Sequence, residues 1–149
     1  MTELSISRAG PADLDALALL FDAYRQFYGQ ATDVPRARDW LRSRLRVGES
    51  VVLVAKRGAD AVGFVQLYPM FSSVRTARTW ILNDLFVAPA ARRGGVARAL
   101  LEAAAAAGGG RRAVGAVFGR RRVGQGFHGQ LDAALVVGLQ YLDLHDLAF

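Results

Sequence analysis

The 149-residue chain contains no cysteine. That excludes disulfides, thiolate metal sites and a cysteine nucleophile. Its two histidines, His128 and His145, have no partner at metal-ligand spacing, so no metal is expected. Lys56 is the only lysine among 19 basic residues, and part of that arginine bias reflects G+C-rich coding. No G-x-S-x-G elbow is present, so serine-hydrolase chemistry has no support. No apolar stretch reaches bilayer-spanning length, and "MTELSISRAG" lacks the basic-then-apolar opening of a signal peptide. The expectation is a cytoplasmic protein with no membrane partner. At this length a single domain over residues 1–149 is expected.

The charge that is present is uneven. The formal net charge is +6, and five arginines (Arg111, Arg112, Arg120, Arg121, Arg122) fall in residues 103–131, where no acid stands. Basic clusters bind phosphates through a salt-dependent term, but specificity needs aromatic or base-reading partners beside them. Charge alone therefore gives no reason to expect a nucleic-acid partner.

Hydrophobic periodicity sets the order of elements. Leu4 and Ile6 alternate with Ser5 and Ser7, the period of a half-buried strand. Gly10-Pro11 opens a helix whose apolar face runs through Leu14, Leu17, Ala18, Phe21, Tyr24 and Tyr28, and Gly29 stops it. A second helix is expected over 33–46. "SVVLVAK" (50–56), "AVGFVQLYPMF" (61–71) and "ARTWILNDLFVA" (77–88) read as strands, the first two forming an antiparallel hairpin through "RGAD". Residues 96–107 read as a helix. From residue 108 the character changes: 108–130 hold eight glycines and five arginines without a clear period, and only "AVGAVF" reads as strand-like. The order of elements is that of an α/β domain with a mostly antiparallel sheet.

The chemistry concentrates in "FVAPAARRGGVARALLEAAAAA" (86–107). A helix begins with about four backbone N–H groups that lack intrahelical partners, and its dipole adds positive charge there. Preceded by a strand, such a start suits an anion. Gly94 and Gly95 allow close approach to the backbone, and Arg92 and Arg93 add charge that suits phosphate. The nucleotide-triphosphate loop is excluded, since its lysine and hydroxyl are missing, and the G-x-G-x-x-G fingerprint is absent.

Arg92-x-x-Gly95-x-Ala97, after "ILNDLFVAP" and before "ARALLEAA", resembles the acetyl-coenzyme A signature R/Q-x-x-G-x-G/A of the GNAT acetyltransferase superfamily. The resemblance covers about residues 3–107. It implies a GNAT-like acyl-CoA N-acyltransferase fold, a mixed, mostly antiparallel sheet flanked by helices. It also implies acetyl-CoA as co-substrate, with the pyrophosphate held by backbone N–H groups from Arg93 through Gly94, Gly95 and Val96 to Ala97. The strand around Phe86 and Val87 would bulge, pair with the pantetheine and offer an N–H to the thioester oxygen. Acetyl would pass directly to a primary amine of a small molecule, a polyamine, amino acid or similar. Asp84 is the candidate that accepts the amine's proton or holds the ammonium, its alternative being a structural strand-end carboxylate. Tyr28, Tyr68 and Asn83 are candidates for the acceptor pocket, with Tyr24 beside them or in the core. The competing reading is a non-catalytic acyl-CoA-binding or sensor domain, or a basic nucleic-acid-contacting protein.

The family pattern continues with "N-x-x-A-x-x-L-Y-x-x-x-G-F", whose tyrosine often protonates the departing thiolate. Residues 108–139 contain neither its asparagine nor its tyrosine, so the resemblance assigns no such acid. That stretch reads either as a divergent segment or as one translated out of frame. An incomplete C-terminal sheet would favour a homodimer.

Overall fold

Alternation at the N-terminus is realised as β1 (Leu4–Arg8), the outer strand of a five-stranded sheet in the order β1-β2-β3-β4-β5. A computed structural model describes residues 2–73, 76–107 and 114–116 of the chain. β2 (Val51–Arg57), β3 (Asp60–Ser72) and β4 (Ala77–Val87) follow as an antiparallel meander, and β5 (Val114–Ala116) lies parallel to β4. The sheet is thus mixed and mostly antiparallel. Residues 108–113 and 117–149, including most of the glycine- and arginine-rich stretch, Tyr141 and the span suspected of being out of frame, lie outside the described residues.

Two helices connect β1 to β2. A 3-10 turn at Pro11–Asp13 leads into α1 (Leu14–Phe27), and Asp13 accepts the Gly10 N–H at 2.8 Å and pairs with Lys56 of β2. Gly29, at φ 83°, supplies the left-handed turn that ends this run. α2 (Val34–Arg46) is capped by Asp33, whose carboxylate accepts the Arg36 N–H at 3.0 Å. α3 (Val96–Ala107) follows β4 through a short loop, and its bounds are those the alanine-rich pattern suggests.

The helices divide the core into two layers. β2 is apolar on both faces because each is covered. Leu53 and Ala55, with Val65, Leu67, Leu82, Leu85 and Val87, pack under α3 against Val96, Leu100, Leu101 and Ala104. Val52, Val54, Phe64 and Phe86 pack on the other face against Leu17, Leu20, Phe21 and Tyr24 of α1 and Ala37 and Leu41 of α2. At Gly63 β3, β4 and α3 approach closely: a Cβ there would stand 2.9 Å from the Phe86 carbonyl oxygen.

One irregularity matters for the site. Val65 pairs with Leu85 and Leu67 with Leu82, so two residues of β3 span three of β4. Asn83 is the extra residue of a β-bulge. Were this sequence paired without the bulge, Leu82, Asp84 and Phe86 would share a face. With it, Leu82, Leu85 and Val87 face α3 while Asp84 and Phe86 face α1.

Candidate functional site

The bulge delivers a carboxylate into an otherwise apolar layer. Asp84 is only 4 % exposed, and three donors converge on it. Tyr24 Oη donates to Oδ1 at 2.6 Å, Asn83 Nδ2 to the same oxygen at 3.0 Å, and Gln66 Nε2 to Oδ2 at 2.7 Å. A carboxylate offers about four acceptor positions, so one remains among the described residues, on Oδ2. Burial of a charge is tolerated here because its hydrogen bonds are supplied by groups fixed on three elements.

Tyrosines surround this carboxylate. Tyr24 is buried and stacks edge-on to Phe64, Phe86 and Tyr28. Tyr28, half exposed one turn later, meets the Tyr24 ring edge-on with centroids 5.2 Å apart, and Tyr68 reaches in from β3. Burial, with Asp84 close by, pushes all three phenols above their ordinary range. All three therefore stay protonated donors near neutral pH, and none serves as a phenolate base. Trp40 of α2 lies beside the Tyr68 hydroxyl and closes the α2 side of the chamber.

At its other end β4 runs into the loop before α3. Ala88 donates its N–H to Val62 O at 2.8 Å. Backbone groups alternate in direction along a strand, so Phe86 also faces β3, while Leu85 and Val87 turn theirs toward the β5 side. Pairing with β5 is described only at Trp80–Leu82, which leaves the two later residues facing an opening among the described residues. The Val87 carbonyl accepts Arg92 Nε at 3.0 Å, and the Arg92 guanidinium lies 5.8 Å over the Phe86 ring.

The loop itself is held in an unusual path. Arg93 (φ 64°) and Gly95 (φ 75°) are both left-handed. Such a conformation is costly for arginine, and it persists because contacts on both sides define it. Arg92 ties the loop to β4, and Arg57, from the end of β2, donates Nη2 to Gly94 O at 3.1 Å. A Cβ on Gly94 would stand 2.7 Å from that nitrogen. The first bond within α3 runs from Ala99 N–H to Gly95 O, so the Val96 and Ala97 amides point out of the helix start.

A buried carboxylate among hydroxyls and an amide-lined helix start thus stand at the two ends of one five-residue strand segment. Residues 15–122 match the model of the Acetyltransferase (GNAT) family. The chain belongs to the GNAT acetyltransferase family. An uncharacterized N-acetyltransferase of Bacillus subtilis (strain 168), YhfO, is 48 % identical over 100 residues, which are 67 % of either chain. The crystal structure of a probable acetyltransferase matches with a TM-score of 0.65 at 44 % identity, over 70 % of this chain and 73 % of that one. A predicted acetyltransferase from Clostridium acetobutylicum, solved with acetyl-CoA, matches with a TM-score of 0.59 over 70 % and 73 % of the two chains. At 12 % identity it shares the fold alone.

Within this GNAT domain the residues singled out in the sequence fall into two groups. Asp84, Asn83, Tyr24, Tyr28 and Tyr68 converge, while Arg93, Gly94, Gly95, Val96 and Ala97 form the loop and helix start. Three expectations change. The bulge is at Asn83 rather than around Phe86 and Val87, which pair regularly with Phe64 and Gly63. Phe86 spends its backbone groups on β3, so the open-side amides are those of Leu85 and Val87. Arg92 is turned back on Val87 instead of outward. Gln66, Trp40 and Arg57 were not anticipated. Gln66 was legible only through the β3–β4 register, and Arg57 contacts a loop 37 positions away with no local signal.

Proposed function

We propose that this GNAT acetyltransferase transfers the acetyl group of acetyl-CoA to a primary amine of a small molecule by direct attack. The supporting observation is the placement of Asp84 and the α3 start at opposite ends of Asp84–Ala88, so that an amine and a thioester meet along that segment. The helix-start amides of Gly95, Val96 and Ala97 suit the pyrophosphate, since Gly95 has no side chain and the dipole favours an anion. The Val87 N–H, with Leu85 beside it, is the donor toward the thioester oxygen. Acetyl-CoA supplies the activated acyl group. The ammonium gives its proton to the open position of Asp84, directly or through a water. The amine nitrogen then bonds to the acetyl carbon as the C–S bond breaks and its electron pair leaves on sulfur, and the second nitrogen proton passes to that sulfur, giving the amide and the free thiol.

The first test separates an enzyme from an acyl-CoA sensor. Acetyl-CoA at about 100 times its Kd is expected to stabilise the protein by about 2.7 kcal/mol, read as a rise in Tm. Free thiol is expected only when an amine is added. A Tm shift with no amine-dependent thiol release across a broad amine panel would make the domain a sensor.

Arg57 provides a second test, of the cofactor loop. In a trans peptide the C=O and the following N–H point in opposite directions. With Gly94 O drawn to Arg57, the Gly95 N–H is turned away from β2, toward the helix-start amides. Arg57→Ala is expected to raise the Kd for acetyl-CoA about tenfold while leaving the amine KM unchanged. Titration calorimetry on the variant, alongside the amine kinetics, checks the split.

A further inference from the structure

Not every polar group on the α1/α2 face of the sheet is used. Gln66 is fully buried and spends Nε2 on Asp84, which leaves its Oε1 without a hydrogen-bond partner among the described residues. Ser50, 1 % exposed, has its Oγ in the same condition. Gln66 pairs with Val52, two residues beyond Ser50, so both side chains lie on the face that carries Asp84. An orphaned amide oxygen is costly in a protein interior. Held beside a carboxylate that still has an open position, it makes a pair of acceptors suited to a group with several N–H bonds, which is an ammonium.

The α2 side of the same chamber has the opposite charge. α2 contains Arg36, Arg38, Arg42, Arg44 and Arg46 against the single acid Asp39. Arg38 and Arg42 are occupied at exposed positions by Asp15 and Asp39. Arg44 is different. Its guanidinium lies 4.4 Å over the ring of Trp40, the residue beside Tyr68. Tyr68 accordingly feels Asp84 and Arg44 with opposite sign. Arg44 meets Glu49 through Nε at 2.6 Å, and a guanidinium has further N–H donors on its two Nη groups for another acceptor. Stacking on the indole presents those groups as a flat fork, the geometry that matches a carboxylate.

We propose that the acceptor is a zwitterion, a primary amine bearing a carboxylate, with its ammonium held by Asp84 and the free Oε1 of Gln66 and its carboxylate by the Nη groups of Arg44. The proposal rests on the acetyl-transfer reading and narrows it. A polyamine would bring its second ammonium toward Arg44 with nothing to offset the repulsion, so the chamber selects against it.

The test uses three matched series with two to five methylenes: ω-amino carboxylates, plain alkylamines and α,ω-diamines, each assayed with acetyl-CoA by thiol release. The carboxylates are expected to exceed the alkylamines in kcat/KM by about tenfold at the best chain length, with the diamines below both. Arg44→Gln is expected to bring the carboxylate-to-alkylamine ratio near one, while Glu49→Gln, which frees the guanidinium, raises it. Melting temperatures without ligand show that each variant is folded. Diamines turned over best, or a ratio unchanged in both variants, would overturn the proposal while acetyl transfer to amines stands. No thiol release from any series, despite an acetyl-CoA-induced Tm rise, would remove the acetyl-transfer reading and this proposal together.

Discussion

Asp84→Asn is expected to lower kcat/KM for the amine by about 10²- to 10³-fold, the range associated with loss of a positioned proton acceptor. The asparagine keeps the size of the side chain and an oxygen for Tyr24, so the chamber retains its shape. It loses the negative charge and brings an NH2 group against the Gln66 amide or the Asn83 amide. Because Asp84 lies on the bulge and not on the loop before α3, the acetyl-CoA-induced Tm shift should survive. Steady-state kinetics in amine and a cofactor thermal shift on the same variant check both halves. Were catalysis retained within a few-fold, Asp84 would be a structural hub for Tyr24 and Gln66, and the proton would leave by another route.

The second large effect is on stability. Asp22, 2 % exposed on α1, accepts four hydrogen bonds. They come from Thr32 Oγ1 at 2.6 Å, Asp33 N at 2.8 Å, Gln26 Nε2 at 2.9 Å and Arg25 Nη1 at 3.1 Å. Through Asp33 this carboxylate places the residue that caps α2, and so the helix that carries Trp40 and Arg44. Asp22→Ala leaves donors unsatisfied and is expected to cost about 3 kcal/mol, seen as a fall in Tm of about 10 °C. The hydrogen bonds, Thr32 first, hold the Asp22 carboxyl below its usual value of 3.8. A carboxyl lowered on folding stabilises the protein above its unfolded pKa, and that contribution is lost as pH falls through the folded value. The gap in stability between the wild type and Asp22→Asn should therefore narrow on acidification below about pH 4. Denaturant melts at several pH values measure it.

What could be read in advance follows the range of the forces involved. The strands, the helices and the left-handed glycines are local matters of period and steric freedom, and α3 has the bounds suggested by "VARALLEAAAAA". The loop at Arg92–Gly95 was equally legible as a glycine-softened helix start, because helix-start geometry depends on a handful of adjacent residues. The partners of Asp84 were less so. Tyr24 sits at a helical core spacing, and nothing local separates a phenol that fills space from one that donates to a carboxylate 60 positions away. The bulge was misplaced because it is a property of two strands: only the Val65–Leu85 and Leu67–Leu82 pairs reveal the extra residue. Arg92 looked free to meet a phosphate, and its true contact, the Val87 carbonyl, exists only because the loop doubles back over the strand end.

The bulge also bears on how the gene for this domain tolerates change. Asn83 works as a spacer: its side chain contributes one hydrogen bond, and the bulge absorbs it so that the residues on either side keep their facing. Exchanging it for another residue leaves the count intact. Removing it would make Leu82 and Asp84 neighbours in a regularly paired strand, with Asp84 and Phe86 still toward α1 and Leu85 and Val87 still toward α3, at the cost of the local bend and the Asn83 hydrogen bond to Asp84. Loss of the Asn83 codon is thus expected to be tolerated better than loss of a codon from a regularly paired part of the strand, such as Phe86, which would turn the residues on one side of it to the other face.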